Sequence, residues 1–277
     1  MYHSVMDLRA KQTRLRELLR GYGEVLVAYS GGIDSALVLK LAHDELGRRA
    51  VGVTAYSPSV SRRELQEALR FARGIGAAHR VVRTDEIDDP SYAANPSNRC
   101  YFCKSTLYRA LAEVARRHGI RHIANGTNLD DLGDHRPGLE AAEEFHVVSP
   151  LRDVGLSKAE VRALARRLGL EIWDKPASPC LASRIPYGSP VTREKLANIE
   201  EAEEYLRGFG LRDLRVRHFG ARARVEVPPG DLTVLNGRMD AIRERLRGIG
   251  FEEVELAELR SGALNDLLRI GDPHGPS

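Results

Sequence analysis

The stretch Ser30-Gly31-Gly32-Ile33-Asp34-Ser35 decides the fold of this chain. It lies between an apolar segment at 24–29, which predicts a strand, and a segment at 36–46 whose leucines have helical spacing. A strand, a glycine turn and a helix in this order place free backbone N–H groups at the positive end of a helix, where phosphate binds. The alternative is a turn that only connects the two elements.

The stretch lacks the Gly-Lys-Ser/Thr ending of a Walker A motif, so no lysine is provided for transfer of a terminal phosphate. It resembles the pyrophosphate loop (PP-loop) of the N-type ATP pyrophosphatases, which include GMP synthetase, NAD synthetase and tRNA-thiolating enzymes. These enzymes split ATP into AMP and pyrophosphate and place AMP on a substrate oxygen. The resemblance implies ATP with Mg²⁺ and a catalytic Asp34. It also implies ATP contacts from Ser30, Gly31, Gly32, Asp34 and Ser35.

Strands and helices alternate along the first part of the chain. The apolar patterns predict strands at 50–56, 79–83, 122–124 and 145–149, and helices at 62–75, 105–118 and 157–168. Such alternation predicts an α/β fold with a parallel, doubly wound sheet. The resemblance identifies this sheet as the adenine nucleotide alpha hydrolase-like (PP-loop) type. Ligands of these sheets bind beyond the carboxyl ends of the strands.

A stretch rich in Pro, Ser and Gly at 173–190 predicts a domain boundary. Beyond it the pattern predicts helices at 192–209 and 231–247 and strands at 211–219, 222–227 and 251–256. We therefore expect a first domain at 1–175, a smaller α+β domain at 176–270 and a disordered tail at 271–277.

The composition narrows the possible partners. The chain has 277 residues, 29% of them charged, and a formal net charge of +3, a balance that does not indicate nucleic acid. No stretch approaches the roughly 20 apolar residues that span a bilayer. The N-terminal leucines form one helical face without the apolar core of a signal peptide. We expect a cytoplasmic protein without membrane contact.

Three cysteines are an odd number, which does not suit a disulfide framework and favours metal binding or catalysis. Cys100-Tyr101-Phe102-Cys103, just before the predicted helix at 105–118, has the spacing with which two thiolates hold a metal or one edge of a cluster. Zinc binding and a redox pair are alternatives. Cys180 lies far away in the boundary stretch. A free cysteine is also often a small buried side chain.

Four segments together are similar to the signature segments of the LarE family, and the similarity extends over nearly the whole chain. They are 30–35, 98–104 (NRCYFCK), 126–138 (GTNLDDLGDHRPG) and 173–184 (WDKPASPCLASR). LarE proteins are ATP-dependent sulfurtransferases of nickel-pincer nucleotide biosynthesis, which provides the cofactor of lactate racemase. They convert carboxylates of pyridinium-3,5-biscarboxylic acid mononucleotide to thiocarboxylates. The resemblance implies a small anionic nucleotide substrate, a homo-oligomer, and a substrate and sulfur-transfer role for the domain at 176–270.

The resemblance leaves two sources of sulfur open. In the better-known form of the family, the cysteine that matches Cys180 attacks the adenylate and becomes dehydroalanine, so the protein turns over once. This sequence also carries Cys100 and Cys103, and so resembles the subset proposed to hold a 4Fe-4S cluster on three cysteines. Three protein ligands would leave one iron open to sulfide from an exogenous donor. We expect the cluster, with Cys180 as its third ligand, and keep sacrifice of Cys180 as the alternative.

Several charged residues accompany these segments. Asp130, Asp131 and Asp134 follow a predicted strand, either as ligands of Mg²⁺ or substrate or as a solvated loop. Lys104 and Arg184 each lie near a cysteine in the sequence. Three roles are open for each of these residues: lowering the pKa of the thiol, holding a substrate phosphate, or serving as an ordinary surface or capping cation. We count Lys104 as catalytic and Arg184 as a substrate residue.

Arginines alternate along two predicted strands, at 215 and 217 and at 222 and 224. One face of this hairpin therefore presents several guanidinium groups, although a solvated face is the commoner cause of such a pattern. The segments 214–218 (LRVRH) and 224–227 (RVEV) also resemble the carboxy-terminal site of the family, which binds the substrate phosphate. The resemblance implies Arg215, Arg217 and Glu226 as substrate residues.

Two other functions are open at this point. A tRNA-thiolating PP-loop enzyme would share the loop and the cysteines, but it should carry a larger basic footprint or an added RNA-binding or zinc-ribbon module. The net charge of +3 and the three cysteines argue against it. A non-catalytic nucleotide-sensing module would bind ATP without substrate-dependent release of pyrophosphate.

Overall fold

A computed structural model describes residues 7–133, 137–176 and 178–260. The chain divides into two compact units. Of the described residues, the first unit contains those up to Glu86 and those within 98–178, and the second contains Ile87–Ser97 and those within 179–260. Asp134 and the predicted tail at 271–277 lie outside the described residues.

A four-stranded parallel sheet forms the centre of the first unit. Its strands are β1 (Val25–Ala28), β2 (Ala50–Tyr56), β3 (Ala78–Arg83) and β4 (His122–Ala124), in the order β3-β2-β1-β4. In the register, Val25 pairs with Ala50 on one side and with His122 on the other. Because all four strands run the same way, their carboxyl ends meet at one edge of the sheet.

Helices cover both faces of this sheet, which confirms the predicted doubly wound α/β fold. They are α1 (Leu8–Gly21), α2 (Ile33–Leu46), α3 (Arg62–Gly74), α5 (Arg99–His118), α6 (Pro137–Glu144), α7 (Pro150–Asp153) and α8 (Lys158–Arg167). The side chains of β1 alternate between the faces. Val25 and Val27 pack with α1, α2 and α8, whereas Leu26 packs with Leu111 of α5 and Ala141 of α6.

The strand predicted at 145–149 is wrong. Only Val148 pairs with the sheet, through an isolated parallel bridge to Ala124. His146 adopts a positive φ of 53° and Pro150 opens α7, so the extended backbone is too short for a strand.

The second unit is a smaller α+β unit. Its described elements are α4 (Pro90–Ala93), α9 (Arg193–Arg207), β5 (Arg215–Phe219), β6 (Arg222–Val227), α10 (Leu232–Asn236), α11 (Met239–Ile249) and β7 (Glu253–Glu258). The sheet order is β5-β6-β7, with β5 antiparallel and β7 parallel to β6. Leu206, Val216, Val225, Ile242 and Phe251 are members of its core.

The segment at 87–97 joins the second unit through backbone and amide hydrogen bonds. Asn95 Nδ2 donates to the carbonyl oxygens of Pro186 (2.7 Å) and Ser189 (2.8 Å), and the Asn95 carbonyl accepts from the Gly188 N–H (2.9 Å). No helix within the described ranges is long and apolar enough to cross a membrane.

Candidate active site

The loop between β1 and α2 forms a cradle of backbone amides. Gly32 is the N-cap of α2 and makes no side-chain cap, so the first amides of the helix are open to an anion. The Ser35 hydroxyl donates to the Gly32 carbonyl (3.2 Å) and accepts from the Ser30 N–H (3.2 Å), which holds the turn closed. Gly31 has φ of 78°, and a Cβ there would lie 3.2 Å from Cβ of Ala68 on α3. This position therefore needs glycine.

Asp34 is bound on both carboxylate oxygens. Its Oδ1 accepts a hydrogen bond from Asn128 Nδ2 (3.1 Å), and its Oδ2 forms an ion pair with Lys158 Nζ. Lys158 is the first residue of α8, which begins with a capping box formed by Ser157 and Glu160. Lys158 was not among the site residues predicted from the sequence. A lysine at the first position of a capped helix was the available signal, but its nearness to Asp34 follows only from the fold.

The turn after β4 is stabilised by hydrogen bonds between its backbone N–H groups and its own side chains. Asp131 Oδ2 accepts from the Asn128 N–H (3.0 Å), and the Asn128 amide oxygen accepts from the Asp130 N–H (2.9 Å). Asp130 Oδ2 also accepts from the Lys158 N–H (2.9 Å). Asp130 is thereby held beside the Asp34–Lys158 pair. The role of Asp130 and Asp131 as ligands stays a prediction.

Gly126 lies against the start of α2. A Cβ on Gly126 would lie 2.5 Å from the Ser35 backbone nitrogen and 2.9 Å from the Asp34 carbonyl carbon. Real Cβ atoms essentially never come so close to backbone, so only glycine lets the turn after β4 approach the cradle. Gly126 is thus a second position, beside Gly31, at which the site depends on a missing side chain.

Cys100 and Cys103 lie inside the first two turns of α5, and the predicted helix start at 105 is wrong. The spacing of three residues puts the two thiols on one face of the helix. Cys100 is exposed and Cys103 is half-buried. Both thiols lie near the N-terminus of this helix, and Lys104 follows on the same helix.

Cys180 belongs to the second unit and is exposed. It precedes a short 3-10 turn at Leu181–Arg184. Arg184 is buried and binds Glu203, with 2.8 Å between Nε and Oε1. Its Nη1 donates to the carbonyl oxygens of Pro179 (2.5 Å) and Cys180 (3.2 Å). Arg184 therefore fixes the backbone on which Cys180 lies, and its predicted contact with substrate stays a prediction.

The arginines of β5 and β6 share one face of the sheet, because Arg217 lies opposite Arg224 and Arg215 opposite Glu226. Arg217 and Glu226 are a buried pair, with 2.9 Å between Nε and Oε2. Burial lowers the pKa of Arg215, and the charges of Arg217 and Arg184 lower it further. Among the described residues, no hydrogen bond or ion pair binds the Arg215 guanidinium, which leaves its donors available to an anion.

Within the described residues of either unit, no three His, Cys, Asp or Glu side chains are grouped closely enough to hold a metal ion. The first unit brings together the Cys100 and Cys103 pair, and the second unit contributes Cys180 alone.

The cradle without a P-loop lysine, at the carboxyl edge of a doubly wound parallel sheet, defines a PP-loop nucleotide-binding domain. The family model described as thiamine biosynthesis protein (ThiI) matches residues 21–207. An uncharacterized protein of Synechocystis sp. is 44% identical over 94% of this chain and 99% of its own length.

Two named relatives refine this class. The pyridinium-3,5-bisthiocarboxylic acid mononucleotide synthase of Lactiplantibacillus plantarum is 38% identical over 94% of this chain and 96% of its own length. A tRNA-specific 2-thiouridylase of Parvibaculum lavamentivorans is 31% identical, but over 56% of this chain and 48% of its own length. The chain belongs to the LarE family of PP-loop proteins. It is an ATP-dependent sulfurtransferase, and the family implies ATP and Mg²⁺.

Proposed function

We propose that this sulfurtransferase converts carboxylates of pyridinium-3,5-biscarboxylic acid mononucleotide to thiocarboxylates. The observation that carries this proposal is the 38% identity to the Lactiplantibacillus plantarum synthase, which extends over both units. The tRNA thiouridylase match covers about half of either chain and supports the shared ATP chemistry rather than the substrate. A free guanidinium at Arg215 also suits the phosphate of a mononucleotide.

The first step is adenylation of a substrate carboxylate. A carboxylate oxygen attacks the α-phosphorus of ATP, the new O–P bond forms, and the bond to the β-phosphate bridging oxygen breaks to release pyrophosphate. The amides at the start of α2 stabilise the charge on the leaving pyrophosphate. Lys158 supplies a positive charge at the same edge. Mg²⁺ is usually held by one or two carboxylates together with the phosphates of ATP, and Asp34, Asp130 and Asp131 are the carboxylates at this edge that are suited to the role.

The second step replaces AMP by sulfur. A sulfur nucleophile attacks the activated carbonyl carbon, and AMP leaves with the oxygen that had belonged to the carboxylate. Adenylation is needed because the charge of a free carboxylate is delocalised over two oxygens, which makes it a poor electrophile and leaves it without a good leaving group. We assign ATP activation to the predicted domain at 1–175 and sulfur transfer with substrate binding to the domain at 176–270.

For the sulfur source we propose a 4Fe-4S cluster on Cys100, Cys103 and Cys180. The two thiols on one face of α5 fit one side of such a cluster, and the exposed Cys180 is chemically suited as the third ligand. When bound, the cluster would hold one iron open to sulfide from an exogenous donor. Arg184 orients the Cys180 backbone in either route, because it binds the carbonyl oxygens before and at that residue.

The test of the proposal is mass spectrometry of both nucleotide and protein after anaerobic turnover with ATP, Mg²⁺, sulfide and the biscarboxylate mononucleotide. The proposal predicts a product in which oxygen is replaced by sulfur, one AMP and one pyrophosphate for each sulfur, and an unchanged protein mass. Dehydroalanine at 180 with no bound iron would refute the cluster and keep the sulfurtransferase. Thiolated tRNA without thiolated mononucleotide would refute the proposed substrate. A cytoplasmic location and a homo-oligomer stay predictions.

A further inference from the structure

Lys175 lies near the C-terminal end of the first unit in the sequence, and its side chain contacts the loop between β1 and α2. Its Nζ donates to the carbonyl oxygen of Gly31 (3.2 Å) and binds the carboxylates of Glu64 (3.3 Å) and Glu67 (3.0 Å) on α3. The side chain is 16% exposed. The ammonium group therefore joins the loop to α3 through three acceptors, which use its three donors.

The backbone that carries Lys175 is itself held in place. Arg162 of α8 donates to the carbonyl oxygens of Trp173 (2.8 Å) and Lys175 (3.0 Å). The Arg166 guanidinium lies over the Trp173 ring, 4.9 Å from its centroid. Lys175 thus extends from a fixed segment, so its ammonium can hold the loop rather than follow it.

The contact with Gly31 sets the direction of one amide of the cradle. The peptide bond between Gly31 and Gly32 is planar and trans, so its carbonyl and its N–H point in opposite directions. The Gly31 carbonyl points to Lys175, and the Gly32 N–H therefore points away from it. The Gly32 N–H donates to the Ser30 hydroxyl at 3.4 Å, a long hydrogen bond. Two adjacent glycines would otherwise let this peptide rotate at low cost.

Glu64 and Glu67 hold the Lys175 ammonium in place by charge, but the group does not act by attracting phosphate. Lys175, Glu64 and Glu67 together carry a net charge of −1, and Arg63 beside Glu67 brings the net charge only to zero. Burial raises the pKa of Glu67, but the hydrogen bond and charge of Lys175 and the nearby Arg63 lower it below its ordinary value. Glu67 therefore stays ionised at neutral pH and keeps the ammonium beside Gly31.

We propose that Lys175 is a positioning residue that fixes the Gly31–Gly32 peptide in the orientation that binds the β- and γ-phosphates of ATP. The inference rests on the proposed role of the loop in ATP binding and adds a residue outside the loop, 144 positions away in the sequence. Lys175 acts through Gly31 and does not touch the phosphates. Replacement of Lys175 should therefore weaken the binding of phosphate groups more than the binding of the nucleoside.

The test compares Lys175→Met with the wild-type chain by calorimetric titration of MgATP, magnesium pyrophosphate and adenosine. Lys40→Met is the matched control, because Lys40 pairs with Asp44 on the surface of α2 and does not contact the loop. We expect Lys175→Met to weaken ATP and pyrophosphate binding about tenfold, the scale of a lost charge-assisted hydrogen bond, and to leave adenosine unchanged. If Lys175→Met does not fold, Lys175→Gln takes its place. Glutamine keeps a hydrogen-bond donor, so the ATP and pyrophosphate affinities of Lys175→Gln should lie between those of wild type and those expected for Lys175→Met.

Two further readouts separate positioning from charge. In the ATP-free protein, hydrogen exchange of the peptide at 29–36 should be faster in Lys175→Met than in Lys40→Met. The loss of pyrophosphate affinity should also persist in about 0.5 M salt, where long-range charge effects are screened. Equal pyrophosphate affinity of the folded variants and wild type would refute the role of Lys175 and leave the proposed function intact. Failure of the wild-type chain itself to bind pyrophosphate would refute both.

Discussion

Replacement of Gly126 by alanine should damage the active site although no catalytic residue is replaced. The new Cβ would lie 2.5 Å from the Ser35 nitrogen, whereas ordinary contact begins at 3.4 Å, so the two segments must separate by up to about 0.9 Å. Both near atoms belong to backbone, and no rotamer change relieves the overlap. Overpacking of this kind costs about 1–3 kcal/mol of unfolding free energy. A displacement near 1 Å at a reacting group lowers the rate about 100-fold.

The assay measures urea unfolding and substrate-dependent pyrophosphate release in Gly126→Ala and in the control Gly74→Ala. At Gly74, near the end of α3, a Cβ would meet nothing within 4 Å. We expect the control to keep its activity and to change stability by no more than about 1 kcal/mol. In Gly126→Ala, the rate of pyrophosphate release should fall about 100-fold, whereas the unfolding free energy should fall by only about 1–3 kcal/mol. If it matches Gly74→Ala in both measurements, the packing of the turn against α2 is not what positions the cradle.

Three further predictions concern single side chains. Lys158→Met should slow pyrophosphate release about tenfold, because the Asp34 carboxylate loses its charged partner; an unchanged rate in a stopped-flow assay would contradict this. Arg215→Ala should weaken binding of the mononucleotide about tenfold in calorimetry, and Arg247→Ala, at an exposed position, is the control. Equal affinities of the two variants for the mononucleotide would contradict the contact between Arg215 and the substrate phosphate. Cys103→Ser should lose iron and repeated turnover together, whereas a single full turnover without iron would favour sacrifice of Cys180.

The loop could be predicted from sequence because its determinants are local. Strand, glycines and helix follow one another within 24–46, and each element is decided by neighbours in the chain. The alternation of Arg215 and Arg217 on one face could be predicted for the same reason, since a strand has a period of two. The pairing of Arg217 with Glu226 was not predicted, although both residues were selected.

The remaining parts of the site depend on contacts that no local pattern encodes. Lys158 meets Asp34 across 124 residues and Lys175 meets Gly31 across 144. Helix α5 begins at Arg99 although Cys, Tyr and Phe are weak helix formers. Tertiary packing overrides this propensity, because Tyr101 of the first turn donates to Glu144 of α6 at 3.0 Å. The two cysteines therefore lie on the helix, whereas the sequence placed them just before its predicted start at 105.

The proposed sulfur transfer is tested most directly by the reaction itself, followed by mass spectrometry of the nucleotide. The purified chain, kept anaerobic, is given ATP, Mg²⁺, sulfide and pyridinium-3,5-biscarboxylic acid mononucleotide. We expect a thiocarboxylate product, with pyrophosphate released only when the mononucleotide is present. Release of pyrophosphate without any sulfur in the mononucleotide, or thiolation of tRNA in its place, would contradict it.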